Sequence, residues 1–113
     1  MLHYQTIPVT PFQQNCSVVW CDVTREGAII DPGGDLERVL AFVRDQGIEL
    51  KQILITHAHV DHCAATVDLA EALNLPIVGP HPDDQYWIDA LPATAAQYGF
   101  PPARIFTPTR WLY

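Results

Sequence analysis

At 113 residues the chain is one domain at most, and with 49% of its residues apolar it can form a modest core, which argues against disorder. Thirteen acidic residues against six basic ones give a formal charge of -7, a balance that repels nucleic acid and anionic membrane and that no basic cluster offsets. No apolar run approaches the roughly 20 residues that cross a bilayer, so neither nucleic acid nor a membrane is expected as a partner.

The opening stretch, "MLHYQTIPVTPF", has neither a basic leader nor a continuous apolar segment, and no signal peptide is expected. "HYQTIPV" and "CSVVWCDV" are rich in β-branched and aromatic residues and read as strands. Thr24-Arg25-Glu26-Gly27 reads as a turn, and "AIIDPGG" as a third strand running into a Pro-Gly-Gly break. Asp35 then suits an N-cap for a helix over Leu36 to Gln46. Leu36, Val39, Leu40 and Val43 recur there at helical spacing, and Gly47 follows as the stop. "QILIT" is short and continuously apolar, as in a strand buried on both faces. A second helix is expected to start near Asp61 or His62 and to end by Asn74, before Pro76. "PIVG" reads as another buried strand, "PDDQYWIDAL" as a short helix opened by Pro82, and "ATAAQYGF" as one broken by Gly99. Strands alternating with helices predict an α/β fold, with helices covering a largely buried sheet. Cys16, Cys21 and Cys63 are odd in number and lack a disulfide spacing, so they read as small core residues in a reducing cytoplasm.

The chemistry concentrates in "ILITHAHVDH", which places three of the five histidines within six positions, directly behind a buried strand. In open α/β sheets the carboxyl ends of strands are where ligands bind. A divalent ion such as zinc takes imidazole nitrogen and carboxylate oxygen at about 2.0–2.2 Å. Residues two apart on an extended segment point the same way, so His57 and His59 can share one ion. Entry into the helix ends that alternation and swings Asp61 and His62 toward a neighbouring position. H-x-H-x-D-H therefore suits two adjacent metals, and ions about 3.5–4 Å apart acidify a bridging water and clamp the attacked group. A lone histidine at a strand end would instead read as a surface or hydrogen-bonded residue.

"THAHVDH" resembles the signature of the metallo-β-lactamase fold hydrolases. Together with "QNCSVVW", "IIDPGGD", "LPIVGP" and "TPTRWL" it resembles short bacterial glyoxalase II-like (hydroxyacylglutathione hydrolase-like) proteins over residues 1–113. The resemblance implies His57 and His59 at a first metal, with Asp61 and His62 at a second. Asp61 is the residue it places in catalysis. Asp31 matches an aspartate that orders the metal loop through hydrogen bonds, its bland alternative being a turn residue before Pro-Gly. The implied cofactor is a zinc pair, with iron or manganese as alternatives. The implied reaction is attack of a metal-bridging hydroxide on the thioester of S-(2-hydroxyacyl)glutathione.

The family fold is a four-layer αβ/βα sandwich, and residues 1–113 resemble its first half: a mixed sheet with covering helices, a single and apparently truncated domain. The remaining metal donors and much of the glutathione surface belong to the second half. His81, in "GPHPDD", reads as a residue near an N-cap, Cys63 as a packing residue, and His3 as exposed or hydrogen-bonded. Trp20, Trp87 and Trp111 read as core or sheet-covering aromatics. With two ligands per metal, the expected outcomes are a fragment of a longer protein, a homodimer covering the bare sheet face, or aggregation. Three functions remain open: the thioester hydrolase, inactive as this chain; a single-iron enzyme like the persulfide dioxygenases; and a non-catalytic binding module that needs a partner half.

Overall fold

Three extended runs near the N-terminus pair antiparallel: β1 (Leu2–Val9), β2 (Gln14–Cys21) and β3 (Glu26–Ile30). They belong to a computed structural model that describes residues 1–10 and 12–113. Helix α1 (Leu36–Gln46) then returns the chain so that β4 (Glu49–Leu54) lies parallel to β3. Two short helices, α2 (Val60–Cys63) and α3 (Thr66–Leu73), lead to β5 (Ile77–Val78), parallel to β4. A 3-10 turn over Pro82–Asp84 opens the last helical segment, α4 (Gln85–Asp89) and α5 (Leu91–Gln97). The strand order is β1-β2-β3-β4-β5, a mixed sheet with helices, as the alternation of elements predicts.

Helix α1 has the expected boundaries, but its ends differ in kind. Gly47 adopts φ 66°, its N–H donates to the Arg44 carbonyl at 3.0 Å, and the Ile48 N–H donates to Val43 at 3.0 Å. This is the paired C-terminal closure that glycine permits. At the other end Asp35 holds the N-cap position without capping it. Its carboxylate accepts from the Thr10 N–H at 2.9 Å instead, tying the helix start to the end of β1.

The sheet has two unequal faces. Val18, Ile29, Ile53 and Ile77 lie opposite one another across β2–β5 and are all buried. They join Val39 and Val43 of α1 and Leu69 of α3 in one apolar cluster. One position along, Ser17, Ile30 and Leu54 stand on the opposite face and are only half-buried. Farther out on that face Leu2 is 72% and Tyr4 74% exposed. Burial of "QILIT" on both faces is therefore not observed: Ile53 and Ile55 are enclosed, whereas Leu54 is half-open.

The expected single helix from Asp61 to Asn74 is two. At the break, the Ala65 N–H donates to the Pro32 carbonyl at 3.0 Å. The Asp31–Gly34 loop thus takes a donor that a continuous helix would use internally. Gly33 makes that approach possible, because a Cβ there would collide with the Asp61 carbonyl. The two glycines of "DPGG" differ from Gly47 in this respect, since nothing lies within 4 Å of a Cβ at Gly47.

Substitution separates the two requirements. Gly47→Ala should cost about 1–2 kcal/mol, the penalty for a side chain in the left-handed region. Gly33→Ala must displace backbone and should cost more, about 3 kcal/mol or above, as for other backbone clashes in a packed site. Urea unfolding of both variants checks this, and a smaller loss for Gly33→Ala contradicts the close approach.

Candidate metal centre

Strands β3 and β4 run parallel, so both end at the same edge of the sheet, and the pairing of Ile30 with Leu54 brings the next residues of each strand together. Asp31 leaves β3 with φ 57° and is 4% exposed. Left-handed backbone is uncommon outside glycine, although Asp is among the residues that tolerate it. Here the carboxylate is heavily used. One oxygen accepts the Thr56 N–H at 2.8 Å. The other accepts the Thr56 hydroxyl at 2.6 Å and lies 3.0 Å from His62 Nδ1.

These bonds set the histidine tautomers. The Thr56 hydroxyl has one proton, and it goes to Asp31, so the His57 Nδ1 at 2.9 Å must be the donor to Thr56 Oγ1. His62 Nδ1 likewise faces only acceptor oxygen. In the neutral ring of each, this leaves Nε2 as a bare lone pair, the form in which imidazole binds a metal. Donor atoms of Asp31, His57 and His62 all lie within 4.8 Å of one another. Asp31 is nonetheless better suited to orienting than to ligating, because both of its oxygens already accept hydrogen bonds.

His59 and Asp61 stand beside this cluster and are not among its three donors. The His57 ring centroid is 4.0 Å from that of His62 and 4.8 Å from that of His59. Asp61 Oδ2 stands 3.7 Å from His62 Nε2. Two donors each about 2.0–2.2 Å from one tetrahedral ion are separated by about 3.3–3.6 Å, so this pair needs little adjustment to share an ion. The donor set of four nitrogen or oxygen side chains on one sheet edge fits a divalent metal of the borderline kind.

Two residues to which the sequence reading assigns no role hold the loop. Thr56 links Asp31 to His57, and its only local signal is a hydroxyl placed beside the first histidine. Asp84 accepts the Ala58 N–H at 3.0 Å from 26 positions away, which no local pattern announces. Trp87 departs from its expected place in the core: it is 39% exposed and packs edge-on against His59, with centroids 4.9 Å apart. Cys63 is buried, its thiol donates toward the His59 carbonyl at 3.4 Å, and burial pushes its pKa up, away from the thiolate that a metal needs. His81 accepts the Asp83 N–H at 3.0 Å as an N-cap, and His3 pairs with Asp22 at 3.1 Å. Trp20 is a core residue, and Trp111 packs partly buried against the core. Cys16 is buried like Cys63, whereas Cys21 is half-exposed on the open sheet face.

Beside the histidines lies a cleft of about 550 Å³ with His59, Val60 and Asp61 on one side and Tyr86, Trp87 and Tyr98 on the other.

The family model of the metallo-beta-lactamase superfamily matches residues 9–112. Hydroxyacylglutathione hydrolase GloC of Haemophilus influenzae is 39% identical over 111 residues, covering 98% of this chain and 52% of that protein. The crystal structure of TTHA1623 in a di-iron-bound form aligns with a TM-score of 0.83 at 32% identity, over 96% of this chain and 54% of its own. That of the BLEG-1 B3 metallo-beta-lactamase gives 0.83 at 28% identity, over 98% and 53%. The chain spans about half the length of the relatives it matches.

Burial, then the proximity of His62 and His59, holds the His57 pKa below its ordinary 6.5. The unfolded ring then takes up a proton first, so this position favours folding less as the pH falls below 6.5. In metal-free protein an NMR titration should place the His57 midpoint below 6.5, leaving the ring neutral at pH 7. A midpoint at or above that value contradicts the enclosure described.

Proposed function

The chain belongs to the metallo-beta-lactamase superfamily, and from that premise we propose that it carries part of the active site of a metal-dependent hydrolase of the glyoxalase II type. The substrate would be a thioester such as S-(2-hydroxyacyl)glutathione, the class that the name of the Haemophilus influenzae relative indicates. The observation that carries this reading is the Asp31 network, which turns the Nε2 lone pairs of His57 and His62 outward beside His59 and Asp61.

His57 and His59 would hold one ion, and Asp61 with His62 a second. Zinc is the proposed ion, with iron as the alternative on the strength of the di-iron form of TTHA1623. When bound, such a pair supplies an acidified water and polarises the thioester carbonyl. The chain's own contribution is placement. Asp31 and Thr56 fix the rings, Asp84 fixes the peptide of Ala58 between half-buried His57 and exposed His59, and Asp61 stands at the cleft where a substrate carbonyl can reach it.

Two protein donors per ion fall short of the three that catalytic zinc usually has. The proposal therefore includes further donors from a segment or partner outside these 113 residues, seated over the half-exposed face of Ile30, Leu54 and Tyr4. The same open face favours a second reading, a binding half with no turnover of its own. Among the described residues no helix is long and apolar enough to cross a membrane, and the free thiols suit a reducing cytoplasm.

In a protein that supplies the full donor set, His59→Ala should lower bound zinc and thioester turnover roughly hundredfold or more, the scale on which losing a ligand exceeds losing its supporting partner. Cys63→Ser should leave metal content unchanged. Metal analysis with a thioester assay reads both, and equal zinc in wild type and His59→Ala defeats the ligand assignment.

A further inference from the structure

The cleft beside His59 and Asp61 has walls unlike the rest of this acidic surface. Phe12 forms one side, held by edge-on contacts to Tyr98 at 5.6 Å and Phe100 at 5.3 Å between ring centroids. Its N–H donates to the Thr10 hydroxyl at 3.2 Å, which fixes the backbone beneath the ring. Trp87 forms the other side, braced edge-on by Tyr86 at 5.2 Å and by His59 at 4.9 Å. The floor between α4 and α5 is small: Ala90 and Thr94, whose hydroxyl is turned back to the carbonyls of Ala90 and Leu91 at 3.1 and 3.3 Å. That hydroxyl donates inward, so the neutral polar groups of the lining include the Gln97 carboxamide and the Tyr86 and Tyr98 hydroxyls.

Charge decides what this space can hold. Among the described residues, the lining contains no Lys or Arg, and its one carboxylate is Asp61, at the metal side. The chain around it carries a net charge of -7. A peptide-like thiol carrier with its own carboxylates would meet aromatic faces and no counter-ion there. An apolar group would meet large, pre-positioned rings, the usual lining of a small-molecule site. At about 550 Å³ the cleft falls within the ordinary range for such sites and exceeds what a two- or three-carbon acyl group fills.

Resting on the hydrolase reading, we propose that this cleft binds the acyl end of the substrate and selects an uncharged, apolar acyl group with an aromatic or branched side chain. Phe12, Trp87 and Tyr98 are its specificity-determining residues. The thiol carrier then leaves on the opposite side, away from the aromatic walls. Bulky aryl or branched acyl thioesters are preferred over small hydrophilic ones.

The test needs no turnover. The metal-free chain is titrated by two-dimensional NMR with S-phenylacetyl-N-acetylcysteamine and, separately, with S-lactoyl-N-acetylcysteamine, which differ only in the acyl group. The phenylacetyl probe should shift the Trp87 indole N–H and the Ala90 and Thr94 amides, and should bind about tenfold more tightly, as burial of several extra apolar carbons requires. Tyr98→Ala, at a side chain 53% exposed and outside the metal donors, should remove most of that preference. Equal affinities, or shifts that map elsewhere, overturn the proposal, and the wild-type mapping decides this even if Tyr98→Ala fails to fold. Loss of the acyl preference with zinc uptake intact sinks this inference alone. Absence of zinc uptake in a protein that supplies the full donor set, with the preference intact, sinks the hydrolase reading instead.

Discussion

One buried carboxylate ties the site together. Asp31 ends β3, Thr56 follows the end of β4, and His62 lies within α2; the Asp31 side chain binds all three elements. Strands β3 and β4 must run parallel for this to occur, because only then do both carboxyl ends reach the same edge. The left-handed backbone at Asp31 costs about 1–2 kcal/mol, which three charge-assisted hydrogen bonds can offset. Gly33 belongs to the same constraint, since it lets the loop press against the Asp61 carbonyl and divert the Ala65 N–H from its helix. The motif's geometry is thus imposed from a loop some 25–31 residues earlier.

That distance explains what was legible in the sequence. Elements governed by neighbours along the chain could be read directly: α1 from Leu36 to Gln46, its stop at Gly47, and the turn capped by His81. The histidine cluster could be read because its residue types are improbable for packing. Features created by contacts across the fold could not. The split between α2 and α3 depends on Pro32, the hold on Ala58 depends on Asp84, and Asp35 gives its carboxylate to Thr10. Trp87 was misassigned for a related reason. A tryptophan in a short amphipathic helix usually faces the core, but here Ile88 takes the buried position and Trp87 turns to His59.

The molecule separates two tasks on two supports. Polar donors sit on the edge where β3 and β4 end, and hydrogen bonds from Asp31 and Thr56 hold His57 and His62 there. The aromatic lining comes from Trp87 of α4, Tyr98 just after α5 and Phe12 between β1 and β2, and α4 is linked to that edge through the Trp87–His59 contact. The sheet face of Ile30 and Leu54, only half-buried, lies apart from both.

Asp31 holds the proton on His62 Nδ1, which leaves Nε2 of the neutral ring bare. Nitrogen-15 NMR of the histidine rings in metal-free protein at neutral pH reads this directly. A pyrrole-type, protonated Nδ1 and a pyridine-type Nε2 are expected for the neutral His62 ring. The reverse tautomer, with the proton on Nε2, would contradict it.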